Sequence, residues 1–242
     1  MASAHSWHCQ GVGDRTAEVV VEAPGRNEGG QVSPDGSYLL YVAHPPGSDD
    51  SMDRVMRVPI TGGPPEMILE QKDMDFECPT VGGVPCLLAE RRQGKLALSE
   101  LDPMKGKGGE LAVLASPFVS WRVSPEGGRI AFTENASNES FIPTSIRVMN
   151  LADGVKEHLR ADGLVYPGSV AWSADGKGLF VCDMSSAGWR LLLVDFQGRT
   201  SVLRKSVSRD WWILRSAASP DGRYLAFEEF TPESNAWMLE NF

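Results

Sequence analysis

Ser33-Pro34-Asp35-Gly36 decides the fold, because the chain repeats it as Ser124-Pro125-Glu126-Gly127, Ser173-Ala174-Asp175-Gly176 and Ser219-Pro220-Asp221-Gly222. The intervals are 91 (124 − 33), 49 (173 − 124) and 46 (219 − 173) residues, so one copy has eroded between the first two and five units of about 45–49 residues are implied. At that period each unit is one four-stranded sheet that buries its faces only against its neighbours, the arrangement of propeller blades. Pro presets φ at the second turn position and Gly accepts the left-handed backbone that a Cβ makes costly, so the tetrapeptide joins two antiparallel strands. Six and eight residues after each Ser stand Leu39 and Tyr41, Ile130 and Phe132, Leu179 and Val181, Leu225 and Phe227. The residues between them, Leu40, Ala131, Phe180 and Ala226, are apolar too, as a strand sandwiched between two sheets requires.

Composition agrees with an all-β chain. Gly 25 and Pro 16 make 41 of 242 residues, about 17%, against a usual share of roughly 12%. Hydrophobic residues, at 42%, suffice for a core. No run of about 20 apolar residues exists to span a membrane as a helix, and no basic segment followed by an apolar one marks a signal peptide at the N-terminus. A formal charge of −9 speaks against nucleic acid and anionic membrane as partners, since phosphate binding needs clustered Lys and Arg. Cationic ligands, metal ions or basic peptides are favoured.

Taken in order, residues 1–16 read as a flexible leader, although His5, His8 and Cys9 offer metal-ligand chemistry. Residues 17–242 read as a single propeller domain, with turns at 33–36, 78–86, 124–127, 173–176 and 219–222. Third strands end at Ile60, Leu101, Leu151, Phe196 and Phe242, so the last blade lacks its outermost strand. The strand Glu18-Val19-Val20-Val21-Glu22 is expected to supply it, which closes five four-stranded blades into a ring without exposed edges. In the second unit the repeat turn is replaced by Cys78-Pro79-Thr80-Val81-Gly82-Gly83-Val84-Pro85-Cys86. The two cysteines flank a hairpin and are either a disulfide, which would imply an oxidising compartment, or two buried thiols.

The Ser-Pro-Asp-Gly repeats with their Leu-Ala-Phe-like strands resemble the TolB-like (WD40-like) β-propeller repeat over residues 18–242. More narrowly, Leu101-Asp102-Pro103-Met104-Lys105-Gly106-Lys107-Gly108, the paired cysteines and Asn235-Ala236-Trp237-Met238-Leu239-Glu240-Asn241-Phe242 resemble propellers attached to acidobacterial serine/threonine kinases. That resemblance implies a sensor or interaction domain in a periplasmic or extracytoplasmic setting; a chain complete as written implies the cytoplasm instead.

Several residues are candidates for a site. Arg91, Glu134, Asp183 and Glu229 stand just after second strands, with Glu90 and Glu228 one residue earlier. They form either a carboxylate-rich funnel, in which Glu134, Asp183 and Glu229 hold a hard cation such as calcium, or a solvated rim. Trp189, Trp211 and Trp212, beside Arg190 and Asp210, either present indoles to a peptide or sugar or wedge between blades. His44 opens a long polar loop and can act as a base with Asp49, Asp50 or Asp53, or serve as an ordinary polar residue. No Gly-x-Ser-x-Gly elbow, dinucleotide fingerprint, phosphate loop or His-Glu-x-x-His helix occurs. The leading expectation is a non-catalytic, monomeric propeller that binds a peptide, protein or glycan. Its rivals are a cation-dependent hydrolase of the lactonase or esterase type, and an incomplete ring stable only as an oligomer.

Overall fold

The computed structural model describes residues 4–9, 18–24, 26–45, 52–114, 118–135, 143–206 and 213–229. Every regular element in them is a strand. A two-stranded pair, β1 (Ala4–Cys9) and β2 (Glu18–Pro24), precedes the repeats. The first sheet holds β3 (Arg26–Val32), β4 (Tyr38–His44), β5 (Asp53–Pro59) and β6 (Glu66–Gln71). The second holds β7 (Met74–Glu77), β8 (Cys86–Arg92), β9 (Lys95–Asp102) and β10 (Gly106–Leu114). The third holds β11 (Phe118–Val123), β12 (Arg129–Asn135), β13 (Pro143–Asn150) and β14 (Lys156–Leu159). The fourth holds β15 (Tyr166–Trp172), β16 (Gly178–Ser185), β17 (Gly188–Asp195) and β18 (Thr200–Ser206), and the chain continues into the pair β19 (Ile213–Ala218) and β20 (Leu225–Glu229). In each sheet the strands lie side by side in chain order.

This corrects the expected blade count. The described residues form four four-stranded sheets, not five, and the fifth repeat contributes two strands. The expected third strand at its end, Asn235 to Phe242, lies outside the described residues. Closure by the N-terminal strand is not shown: Glu18–Pro24 pairs with β1, with Trp7 opposite Val21 and Cys9 opposite Glu18. A partner near in sequence costs less closure entropy than one at the far end of the chain. Within the expected leader, Ala4–Cys9 is therefore a strand. The chain divides into two compact units, Met1–Pro117 with Arg122–Ile130 and Val148–Glu157, and Phe118–Trp121 with Ala131–Arg147 and His158–Phe242. No helix in the described residues is long and apolar enough to cross a membrane.

The repeated tetrapeptide is a hydrogen-bonded clasp. In all four copies the Gly amide donates to the Ser carbonyl, at 2.8–2.9 Å, and the Gly φ lies between +66° and +75°. The amide five residues after each Ser donates to its Oγ, from Tyr38, Arg129, Gly178 and Tyr224 at 2.9–3.0 Å. Where the third residue is Asp, the hydroxyls of Ser33, Ser173 and Ser219 donate to Oδ1 of Asp35, Asp175 and Asp221 at 2.5–2.7 Å. The same oxygen accepts the amide two residues further on, at 3.1 Å in each case. The Ser hydroxyl and that amide hold all three Asp carboxyls below the ordinary carboxylate range.

In the first unit both faces of β4 are covered. Leu39 and Tyr41 pack with Val20 and Val21 of β2 and with Val58. Leu40 and Val42, on the opposite face, pack with Phe76, Leu88 and Leu101 of the second sheet. Alternate residues of one strand thus belong to two cores, which explains its unbroken apolar run. The second sheet departs from the clasp. β7 pairs with β8 in the register Glu77 opposite Leu87, and one step further brings Cys78 opposite Cys86. They form a disulfide with a Cα–Cα separation of 4.1 Å.

Ser33→Ala removes a buried hydroxyl that serves two partners and should cost about 1–2 kcal/mol in urea-induced unfolding at neutral pH. Because the clasp depresses the folded-state pKa of Asp35, Asp175 and Asp221, their contribution is complete above the unfolded value of about 3.9. It is lost as pH falls through the depressed folded values. The triple Asp→Asn variant should therefore be less stable than the wild type at pH 7, and the difference should shrink between pH 4 and pH 2; parallel acid profiles would contradict this.

Candidate functional site

Near the end of the second strand in the second, third and fourth sheets stands an acidic residue that the structure pairs with a basic one. Asp183 faces Arg190 directly across β16 and β17, and its side chain is fully buried. Oδ1 accepts the Val165 and Tyr166 amides at 2.8 and 2.9 Å, and Oδ2 accepts from Arg190 Nη2. Arg190 Nη2 also donates to the Gly163 carbonyl at 2.6 Å. One carboxylate and one guanidinium therefore fix Gly163–Tyr166, the segment entering β15, and leave Val165 and Tyr166 each 42% exposed. Glu134 accepts Arg147 Nε at 2.8 Å in the third sheet. Glu90, fully buried in the second, accepts from Arg92 and from Lys107 Nζ through Oε2, while Oε1 is buried without a partner.

Of the carboxylates expected to hold a cation, Glu134 and Asp183 have described side chains. Glu134 and Asp183 are each engaged by an arginine of the next strand in their own sheet. Glu229 ends β20, and its side chain lies outside the described residues. Among the described residues no three His, Cys, Asp or Glu side chains are grouped to hold a metal. Arg91 is exposed on β8, with its amide donating to the Asp73 carbonyl at 2.9 Å.

Of the tryptophan candidates, Trp189 is corrected: it is 1% exposed and packs with Cys182 and Leu191, so its indole is core rather than ligand surface. The reason lies in strand alternation, which turns Trp189 to the face opposite Arg190. Asp210, Trp211 and Trp212 lie outside the described residues. His44 does sit beside Asp53, with Nδ1 2.7 Å from Oδ1, but its Nε2 is 2.9 Å from Glu28 Oε1. Both ring nitrogens are thus held by carboxylates, and this imidazole joins β3 to β5 across β4. Tyr166, Val165 and Glu28 escaped the sequence reading. Only the position of Val165 and Tyr166 between two repeats, ahead of Pro167, hinted at an exposed entry segment.

No protein-family model and no curated protein matches the chain. Solved structures do. TolB from Acinetobacter baumannii aligns with a TM-score of 0.64 at 16% identity, over 89% of this chain and 57% of that one. A TolB-type protein from Agrobacterium tumefaciens aligns with a TM-score of 0.64 at 20% identity, over 89% of this chain and 74% of that one. The fold is an all-β, TolB-like propeller. The propeller of a nidogen/laminin complex aligns likewise, with a TM-score of 0.63 at 14% identity, over 87% of this chain and 75% of that one. At these identities the likeness concerns fold alone, and this propeller spans little more than half the length of the first neighbour.

The two carboxylates predict contrasting costs. Asp183→Ala leaves two amides and a half-buried guanidinium without their acceptor and should destabilise the propeller by about 3–5 kcal/mol. Glu134→Ala breaks a pair that is 22% and 38% exposed and should cost no more than about 1 kcal/mol. Denaturant midpoints of the two variants measure the difference; equal costs would show that Asp183 does not hold the entry segment.

Proposed function

We propose that the chain is a non-catalytic propeller module that binds a protein or peptide through the loop-bearing end opposite the clasps. The observation that carries this reading is the use made of Asp183 and Arg190. Their polar atoms are directed at Gly163, Val165 and Tyr166 of the chain itself, and the result is a fixed segment presenting an aliphatic and an aromatic side chain to solvent. Exposed Tyr on a rigid backbone is a favourable anchor for a partner: it buries much apolar area, keeps a polar tip and loses little rotamer freedom. The nidogen/laminin neighbour, a propeller solved in a complex of two proteins, supports protein binding as a use of this architecture.

The disulfide supports an oxidising compartment for the module. A finer form of the proposal, a sensor domain like those attached to bacterial serine/threonine kinases, rests on the resemblance of Leu101–Gly108 and of Asn235–Phe242 to such propellers.

Val165→Ser/Tyr166→Ala tests the proposal, since both side chains are exposed and neither holds the fold. Partners captured by the wild-type chain from its native extract should be lost from the double variant at unchanged thermal stability. Retention of every partner by the double variant would overturn the assignment of the segment. A calcium-dependent esterase or lactonase activity in the wild type would overturn the non-catalytic reading.

A further inference from the structure

We propose that the Cys78–Cys86 disulfide is a redox-operated tie that couples the turns of three successive repeats. Four of the five repeat hairpins are held by the Ser-based clasp. The second lacks the Ser and the Asp, and the disulfide stands where the clasp would be. It closes residues 79–85, which reach the neighbouring turn on either side. The Val81 amide donates to the Pro125 carbonyl at 3.1 Å. Val84 lies so close to Gly127 that an added Cβ there would stand 2.3 Å from Val84 Cγ1, and a Cβ on Gly82 would stand 3.3 Å from the Pro34 carbonyl.

A second line of contacts runs beside the first. The Cys78 amide donates to Gln31 Oε1 at 2.8 Å, and Gln31 Nε2 donates to the Phe76 carbonyl at 3.1 Å and to Glu77 Oε2 at 3.0 Å. The other oxygen of Glu77 faces Arg122 Nε at 3.6 Å. Gln31, Glu77 and Arg122 belong to β3, β7 and β11, the first strands of three consecutive sheets. The disulfide fixes the end of the middle one, so both lines of contact pass through a point that a reductant can release.

The chemistry needs only a dithiol. Its thiolate attacks one sulfur of the bridge, forming a mixed disulfide and expelling the other cysteine as thiolate. The reagent's second thiolate then attacks its own first sulfur and expels the remaining cysteine as thiolate, leaving two protein thiols and a cyclic disulfide in the reagent; two electrons have passed to the protein. Cys78 is 8% exposed and Cys86 fully buried, so attack proceeds through opening of the exposed loop, a local event well below global unfolding.

Dithiothreitol under native conditions, followed by hydrogen exchange read by mass spectrometry, tests the tie. Reduction should accelerate exchange about ten-fold or more, not only in residues 79–85 but also in the turns 33–38 and 124–129. The clasp at 173–178 should be unaffected, and reoxidation should restore the original rates. Acceleration confined to residues 78–86, a uniform change over the chain, or a bridge that resists dithiothreitol until the chain unfolds would each overturn the proposal. Val81→Pro gives an independent reading with the disulfide intact. It removes the amide that meets Pro125 and should loosen 124–129 while leaving 33–38 protected. If 124–129 keeps its protection, the tie does not run through that bond.

Discussion

The structure depends on one small electrostatic arrangement: a serine hydroxyl, an aspartate oxygen and three backbone amides closing a turn through a glycine of positive φ. A tight hairpin leaves backbone donors with no ladder partner, and buried or half-buried amides without acceptors are costly. Ser33 and Asp35, with their counterparts, supply those acceptors from within the turn. The hairpin's turn therefore finds its hydrogen-bond partners within itself, and those bonds fix its register. Everything larger follows from that register. It sets which of Leu39 and Leu40 faces which neighbour, and a slip of one residue would exchange the two cores.

The second repeat shows what happens when the clasp is absent. Its longer loop cannot reproduce the tight turn, and a covalent bond takes over the task of aligning β7 with β8. The loop then reaches both neighbouring turns. At the opposite end of the sheets the same economy of local pairing recurs. Asp183 with Arg190 and Glu134 with Arg147 join adjacent strands of one sheet, so each of these two carboxylates is paired within its own blade. A carboxylate that already accepts two amides and a guanidinium is a positioning group, and the segment it positions becomes the surface of interest.

The propeller architecture was legible in the sequence because the clasp is local: every atom that makes it lies within five residues of the Ser. The sandwiched second strands were legible for a similar reason, since an apolar run such as Leu39-Leu40-Tyr41-Val42 has no polar face to give to water. The candidate site was legible only in part. Asp183 and Glu134 were found by their offset from the turn, and Asp53 by its nearness to His44. Their partners Arg147 and Glu28 come from strands whose register no residue pattern reveals. Trp189 was ambiguous because an indole beside an arginine can face either way until the strand's alternation is known.

What the sequence by itself determined is therefore the unit: its period, its turn, its apolar strand and the place where cysteines replace the clasp. These rest on contacts between near neighbours, whose geometry the peptide backbone dictates. Tertiary structure alone decided how many four-stranded sheets the described chain contains, and that β2 pairs with β1. It also decided which carboxylates are already engaged. Those outcomes are settled by competition among distant partners for the same hydrogen bonds and apolar faces, and a competition of that kind has no signature in any single stretch of residues.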